Sequence, residues 1–450
     1  MSDAPQGTNP PGLHSELSRA HAIDVVRRLQ DAGFTALWAG GCVRDLLLGH
    51  NPADYDVATN ALPDQVRELF GVRQTLAVGA AFGVIVVKGR RGAEDVEVAT
   101  FRTEGPYLDG RRPERVVFST PEEDAQRRDF SINGLFYDPL SEQLFDYVGG
   151  REDLERRILR AIGNARERFT EDKLRILRAV RISARFDFAL EPETERAVRE
   201  MAPEILVVSQ ERIAQELQKI LAHPTRQVAI ERAAQLGVLS VILPEVAVVA
   251  TGVQAGRPHP PPVAEWLRSL ESLPSPDFEL ALALLLRPGV VGLPTEQAKS
   301  LVGRTCRRLK LSNAQMEQAV WLVEHESALE TIPTSREAVR KRLLAHPWAR
   351  NLIALARGVA VGAGRAATAA DWCEAYLDQT PRELLQPAPL LTGEHLKKMQ
   401  LKPGKEFKDI LEHVYDAQLE GRATTLDEAQ RAALEWLAGT RGGKPGENRY

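Results

Sequence analysis

Residues 40–48, Gly40-Gly41-Cys42-Val43-Arg44-Asp45-Leu46-Leu47-Leu48, followed by NPADYDVAT at 51–59, hold the sharpest chemistry in the chain. On a strand, side chains at i and i+2 share a face. Asp54 and Asp56 then project together, while Tyr55 and Val57 pack inward. Two carboxylates that close repel unless a cation sits between them. Mg²⁺ prefers carboxylate oxygens and keeps waters and substrate phosphates in its other positions. Such a site activates an attacking hydroxyl and neutralises a leaving pyrophosphate. A solvated turn, NPADYD, would carry the same acids. The glycines lead into a helical pattern at Asp45–Leu48. Glycines ahead of a helix let free N–H groups approach a phosphate, and Arg44 can grip phosphate oxygens as a fork. An ordinary Gly-rich turn with a surface Arg is the alternative.

Three further clusters lie outward from this stretch. In EDVEVATF (94–101), alternation puts Asp95, Glu97 and Ala99 on one face and Val96 and Val98 on the other. Glu97 is a candidate to complete a metal shell or orient a nucleophile; a half-exposed strand explains it equally well. Arg127-Arg128-Asp129-Phe130-Ser131-Ile132-Asn133 offers phosphate and ribose-hydroxyl ligands, or a helix start capped by Asp129. In 171–181, EDKLRILRAVR, helical spacing makes Leu174, Leu177, Val180 and Ala184 the buried stripe. Asp172 and Arg175, at i and i+3, share another face. They are either a surface ion pair or an acceptor and a donor fork for a base edge. Arg178 and Arg181 continue a basic flank. From Arg151 to Leu190 there are 11 Lys and Arg against 7 Asp and Glu, a local balance of +4. That excess suits a triphosphate or an RNA backbone.

The whole chain has 450 residues, 58 Lys and Arg and 62 Asp and Glu, and so a net charge of −4. At roughly 150 residues per domain, this length points to two to four domains. The 43% hydrophobic and 27% charged fractions exclude a fibrous or wholly disordered chain. The longest apolar run, Leu280 to Leu286, is far short of the roughly 20 residues that span a bilayer. No signal peptide is expected from MSDAPQGTNPPG. Cys42, Cys306 and Cys373 stand far apart and form no C-x-x-C pair. A cytoplasmic protein is expected.

A helix is expected over Ser15–Asp31. Short β-rich runs, LAVGAAFGVIVVKG, EDVEVATF and RVVFST, and a helical Pro63–Phe70 make the region up to about Gly150 an α+β unit. The rest is read as essentially all-α, with breaks at PSPD (274–277), RPGVVGLP (287–294) and QPAPLLTG (386–393). GRPHPPP (256–262) cannot be regular helix.

These motifs together resemble the class II tRNA nucleotidyltransferase and bacterial poly(A) polymerase family. GGCVRDLLLG…PADYDVAT looks like its first motif, RRDFSING its second and FDYVGGREDLERRILR its third. EDKLRILRAVRISARFDF looks like the fourth and SQERIAQELQKIL the fifth, all in order over roughly 35–221. The resemblance implies an α+β fold: a polymerase β-like nucleotidyltransferase head with an antiparallel sheet, then all-α neck, body and tail. The expected divisions are a disordered lead (1–14), head (15–150), neck (151–222), degenerate HD-like body (223–385), tail (386–440) and frayed terminus (441–450). It also implies roles. Asp54 and Asp56 would bind catalytic Mg²⁺, with Glu97 beside them. Gly40, Gly41 and Arg44 would hold nucleotide phosphates, and Arg128 would contact the nucleotide. Asp129 with Asn133 would sense the ribose. Asp172 and Arg175 would select CTP or ATP, with Arg178 and Arg181 lining the pocket. The implied reaction is addition of CCA to the 3′ end of tRNA, with CTP and ATP as substrates and no membrane partner.

Within that family, Gly79-Ala80-Ala81-Phe82-Gly83-Val84 looks like the tRNA enzymes rather than the poly(A) polymerases, which carry a basic segment there. The loop 99–118 looks intact, which favours adding the terminal A. Addition of A alone, poly(A) synthesis and an inactive RNA-binding scaffold are the rivals. ELALALLLRP (279–288) looks like an HD-motif helix with Leu286-Arg287 in place of the metal-binding pair. His223, His259, His325 and His346 are accordingly read as surface or capping residues.

Overall fold

A computed structural model describes residues 11–79, 83–90, 92–104, 116–246, 262–401, 404 and 406–442. The lead 1–10, the segment 80–82, the loop tip 105–115, the Pro-rich 247–261 with His259, and the terminus 443–450 lie outside the described residues. The chain divides into two compact units, Met1–Ile220 with Val228–Pro244, and Leu221–Gln227 with Glu245–Tyr450.

The first unit is built on a seven-stranded sheet. Its elements begin with helix α1 (Pro11–Asp31), strand β1 (Ala36–Ala39), helix α2 (Gly41–Leu47), β2 (Asp56–Thr59) and α3 (Pro63–Phe70). Then come β3 (Thr75–Gly79), β4 (Val84–Val87), β5 (Val96–Thr100), the small hairpin β6 (Arg102–Glu104) and β7 (Val116–Phe118), and α4 (Pro121–Gln126). Strands β8 (Leu135–Asp138) and β9 (Gln143–Asp146) complete the sheet, in the order β3-β4-β5-β2-β1-β8-β9. The expected antiparallel sheet is antiparallel at every pairing but one, for β2 and β5 run parallel. The connection between them carries α3 and the β3–β4 hairpin. It is long enough for the chain to cross over and re-enter in the same direction.

The sheet centre is buried on both faces. Leu37, Ala39 and Ala58 pack with Phe101, Ala125 and Phe136 on one side. Trp38, fully buried, meets Tyr55 at 4.7 Å between ring centroids on the other, under Arg19 of α1. Four-residue strands such as ALWA, buried throughout, show no polar alternation, which is why only the half-exposed strands are plain in the sequence.

After β9 the unit is mainly helical, as expected, with α5 (Gly150–Glu155), α6 (Ala165–Glu171), α7 (Leu174–Phe186), α8 (Pro192–Met201) and α9 (Gln210–Ala222), but Ile158–Leu159 and Ala189–Leu190 form a short parallel pair between them. The helix expected to run through 171–181 is interrupted. Asp172 is extended (φ −143°, ψ 103°) and its carboxylate accepts the Leu174 N–H at 3.1 Å. That local bond competes with the helical pattern and separates α6 from α7.

The second unit is helical. Fully buried Arg226 ties its start, donating from Nε to the Leu221 carbonyl and from Nη1 to the carbonyls of Leu270 and Leu273. Near the C-terminus, Leu391, Leu396, Ile410, Val414, Ala429 and Ala433 form a separate core cluster. The break expected at RPGVVGLP falls later than its first proline, because helix Phe278–Val290 continues through Pro288. Pro288 cannot donate to the Leu284 carbonyl four residues back; the Trp266 indole N–H donates to it instead, at 3.2 Å. Arg287 donates to Glu326 at 2.7 Å. His223 accepts from Thr225 N–H, His346 accepts from Trp348 N–H, and His325 bonds the Trp321 carbonyl.

Trp266→Phe would strand the Leu284 carbonyl and lower the stability of the second unit by about 1–3 kcal/mol, seen as a lower denaturant midpoint. Adding Pro288→Ala restores a backbone donor and recovers part of the loss. An unchanged midpoint in Trp266→Phe would show that the carbonyl is satisfied in another way.

Candidate active site

The two acids of the first motif lie where β2 begins. Asp54 occupies the bend just before the strand and Asp56 is its first residue. Both are exposed, while Tyr55 and Val57 are buried, so the alternation expected of a strand extends over the bend. Parallel pairing sets Asp56 beside Glu97 on β5. Glu97 is exposed between buried Val96 and Val98. The Asp56 carboxyl is pushed up to about 7: neighbouring protein withholds water, Asp54 and Glu97 add like charge, and Arg128 offsets only part of it. A carboxylate so strained electrostatically is a fit for a hard divalent cation, which would relieve the repulsion. Among the described residues no group of three or more His, Cys, Asp and Glu is arranged to hold a metal by itself. Two carboxylates leave the other positions of an octahedral ion to water and substrate oxygens, the usual state of Mg²⁺.

Helix α2 enters beside these acids. Gly40 precedes it at φ +74°, and a Cβ there would come within 2.9 Å of Arg128 Nη1. The backbone there favours glycine, and any side chain would also have to displace the end of Arg128. Buried Cys42 donates to the Ala39 carbonyl at 3.3 Å; burial and then the Asp56 charge push its thiol up to about 12, leaving it inert. Arg44 is buried, not on the surface. It donates from Nε and Nη2 to Asp45 Oδ1 and from Nη1 to Asn133 Oδ1 at 2.6 Å, and its guanidinium lies 4.4 Å from the Phe186 ring centroid.

The second motif does not start a helix; it follows the end of α4 and closes in a short 3₁₀ turn, Ser131–Asn133. Asp124 of α4, buried, holds the Arg127 side chain by Oδ1 and that of Arg128 by Oδ2. The Asp129 carboxylate is buried as well. Its Oδ1 accepts from Phe130 N–H (2.8 Å) and Asn133 Nδ2 (3.0 Å), and its Oδ2 from Arg178 Nε (2.8 Å) and Nη2 (2.6 Å). Burial alone would raise this carboxyl; Arg178 and Asn133 outweigh that and hold it far below the usual range.

Asp172 and Arg175 do not pair with each other. Asp172 accepts from Arg212 of α9 on both oxygens, at 3.2 and 2.7 Å. Buried Arg175 donates from Nη1 to Glu171 (2.6 Å) and the Arg168 carbonyl (2.9 Å), and from Nη2 to the Arg127 carbonyl (3.0 Å). Arg181 donates to buried Glu216 at 2.6 Å, and Arg178 comes within 4.0 Å of the same carboxylate. A line of polar contacts therefore runs from Arg44 through Asn133, Asp129, Arg178 and Glu216 to Arg181. Glu216 on this line, Asp45 beside Arg44, Asp124 beside Arg127 and Arg128, and Arg212 beside Asp172 are partners to which the motifs assign no role. The signal for Arg212 and Glu216 was present, since they sit at i and i+4 around buried Ile213 and Leu217.

Residues 36–160 match the poly A polymerase head domain, and residues 187–249 match the probable RNA and SrmB-binding site of polymerase A. The chain is 42% identical over 227 residues to the CCA-adding enzyme of Geobacillus stearothermophilus, covering 50% of this chain and 55% of that protein. It is 44% identical over 205 residues to that of Streptococcus pneumoniae serotype 19F, covering 45% and 50%. The chain thus spans about half the length of the curated relatives it matches. The crystal structure of the Bacillus stearothermophilus CCA-adding enzyme in complex with CTP aligns with a TM-score of 0.73 at 27% identity, covering 97% of this chain and 100% of that one. Both family matches lie within residues 36–249 of the chain, the stretch that carries the acids at 54 and 56 and the polar contacts just described.

Proposed function

We propose that the protein adds CCA to the 3′ end of tRNA, taking CTP and ATP and releasing pyrophosphate. The observation that carries this is the pair Asp54 and Asp56 beside Glu97, at the mouth of a sheet whose next elements hold a fixed set of arginines. The curated relatives are CCA-adding enzymes, and one structural neighbour is a CCA-adding enzyme in complex with CTP. The terminal hydroxyl of the RNA attacks the α-phosphate in line. Asp54 and Asp56 would hold Mg²⁺, which supplies neutralising charge at the triphosphate and acidifies the attacking hydroxyl. Arg128 stands close enough to Asp56 to act on its charge and would meet the phosphates. Asp129 and Asn133 fix the walls, and Gly40 and Gly41 keep the entrance free of side chains.

Base choice follows from hydrogen-bond accounting. Cytosine and adenine each offer an exocyclic amine and an accepting ring nitrogen on the pairing edge; uracil and guanine offer the reverse. A carboxylate has about four acceptor positions. Asp172 has three engaged, by Leu174 N–H and two Arg212 donors. Arg175 engages three of its donors, leaving Nε–H and one Nη2–H. One remaining acceptor and a remaining donor edge match cytosine and adenine and mismatch uracil and guanine. Protein side chains would then serve as the template.

The decisive assay extends tRNA transcripts ending before CCA, after CC and after CCA, with CTP and ATP alone and together. Growth to CCA followed by a halt is expected. Extension of the CC-ended transcript alone makes this an A-adding enzyme, and a long adenylate ladder on any RNA makes it a poly(A) polymerase. Asp54→Ala or Asp56→Ala is expected to lower turnover by about a thousandfold or more, the loss of several kcal/mol of transition-state stabilisation, with circular dichroism unchanged. Appreciable activity in either folded variant defeats the proposal. Arg175→Lys keeps the charge but removes the planar fork, so CTP and ATP should lose about 1–3 kcal/mol of advantage over UTP and GTP. Unchanged discrimination removes Arg175 from base choice.

A further inference from the structure

Asp172 is held from outside its own helix pair. Arg212 donates Nη1 to Oδ1 and Nη2 to Oδ2, so the guanidinium plane sets the plane of the carboxylate. Among the described residues, the other group that binds the carboxylate is the Leu174 N–H, which reaches Oδ1 alone. Residue 172 is in an extended gap between two helices, where the backbone by itself allows the side chain several rotamers. Arg212 in turn has little freedom. It rides on α9, whose Ile213, Leu217 and Ile220 are buried, and Glu216 one turn along ties α9 to α7 through Arg181 and Arg178. Burial works to raise the Glu216 pKa, but Arg181, Arg178 and Lys219 prevail and keep it below the usual carboxylate range, so it stays charged.

We propose that Arg212 is a positioning residue for base selection: it orients the Asp172 carboxylate so that its remaining acceptor position meets the exocyclic amine of cytosine or adenine. The inference rests on the base-reading role proposed for Asp172. Arg212 contacts no reacting atom. An unheld Asp172 would rotate, and the cognate bases would lose the amine contact. Uracil and guanine, which make no such contact, would lose nothing. The triphosphate contacts elsewhere in the site would be unaffected.

The test compares the full-length wild-type chain with Arg212→Ala and Arg212→Lys, in Mg²⁺. For each, kcat/KM is measured for CTP and UTP on a tRNA ending before CCA, and for ATP and GTP on one ending in CC. Inhibition by inorganic tripolyphosphate, which has no base, is measured alongside. In Arg212→Ala the kcat/KM for CTP and ATP should fall about tenfold or more, as for the loss of one oriented base contact, while UTP, GTP and tripolyphosphate values stay put. Arg212→Lys offers one ammonium in place of a two-donor fork and should recover only part of the discrimination. A folded Arg212→Ala with the wild-type CTP-to-UTP ratio overturns the inference. So does an equal loss for all four nucleotides together with weaker tripolyphosphate inhibition, which marks a structural role. If Arg212→Ala does not fold, Arg212→Lys decides alone: a reduced ratio supports the inference and a wild-type ratio overturns it. A wild-type chain that takes UTP as readily as CTP overturns both this inference and the base-reading role beneath it.

Discussion

The Asp129 carboxylate is the fixed point of the first unit. It is buried, and a buried charge costs several kcal/mol unless its hydrogen-bond positions are filled. Here they are filled from two directions: Phe130 N–H and Asn133 from its own turn, and two Arg178 donors from α7. The turn that follows α4 is thereby tied to α7 by a buried ion pair as well as by apolar packing. Asn133 passes the constraint on to Arg44, and Arg178 passes it to Glu216. Removing one partner of such a buried pair typically costs about 3–5 kcal/mol, because the other charge stays buried. The motif residues Arg44, Asn133, Asp129 and Arg178 are thus one connected object, and the open positions of the site are defined by what that object leaves unused.

Legibility of the structure in the sequence follows the physics of each element. Helix Pro63–Phe70 was plain because proline opens it and its apolar face repeats at helical spacing. Strand β5 was plain because one face is exposed and one buried. Strand β1 was not, since burial on both faces erases alternation. The acids at 54 and 56 were legible as a pair, and their neighbour Glu97 as an exposed strand residue. Its placement beside Asp56 depended on a parallel pairing that no local pattern announces. Of the two readings of Asp172 and Arg175, the ion pair between them is not formed. Helical spacing makes them neighbours, but the Asx-type bond to Leu174 breaks the helix, and the Asp172 carboxylate meets Arg212, forty residues away. Long-range polar partners are the part of a site that periodicity leaves silent.

The local positive balance of residues 151–190 takes a different meaning once partners are assigned. Arg151, Arg156, Arg160, Arg166 and Arg168 each meet a carboxylate, as do Lys173, Arg175, Arg178 and Arg181. Such cations are already neutralised, so this stretch is not a diffuse basic surface that would gather any polyanion by releasing counterions. What it offers is orientation. Arginines held by acids present only their remaining N–H groups, in fixed directions, and a fixed direction discriminates where a mobile charge merely attracts. The same economy explains why a chain of net charge −4 can carry a nucleotide site. In the proposed function, attraction for phosphate is needed only near Asp54 and Asp56, where restricted access of water and then like charge raise the Asp56 carboxyl and a cation would restore balance. The proposed recognition of the base would instead use rigid, largely neutralised pairs. The two proposed tasks call for opposite electrostatics, and the chain offers both: like-charge repulsion at the start of β2, and ion pairs along α7 and α9 that leave few donor and acceptor positions open.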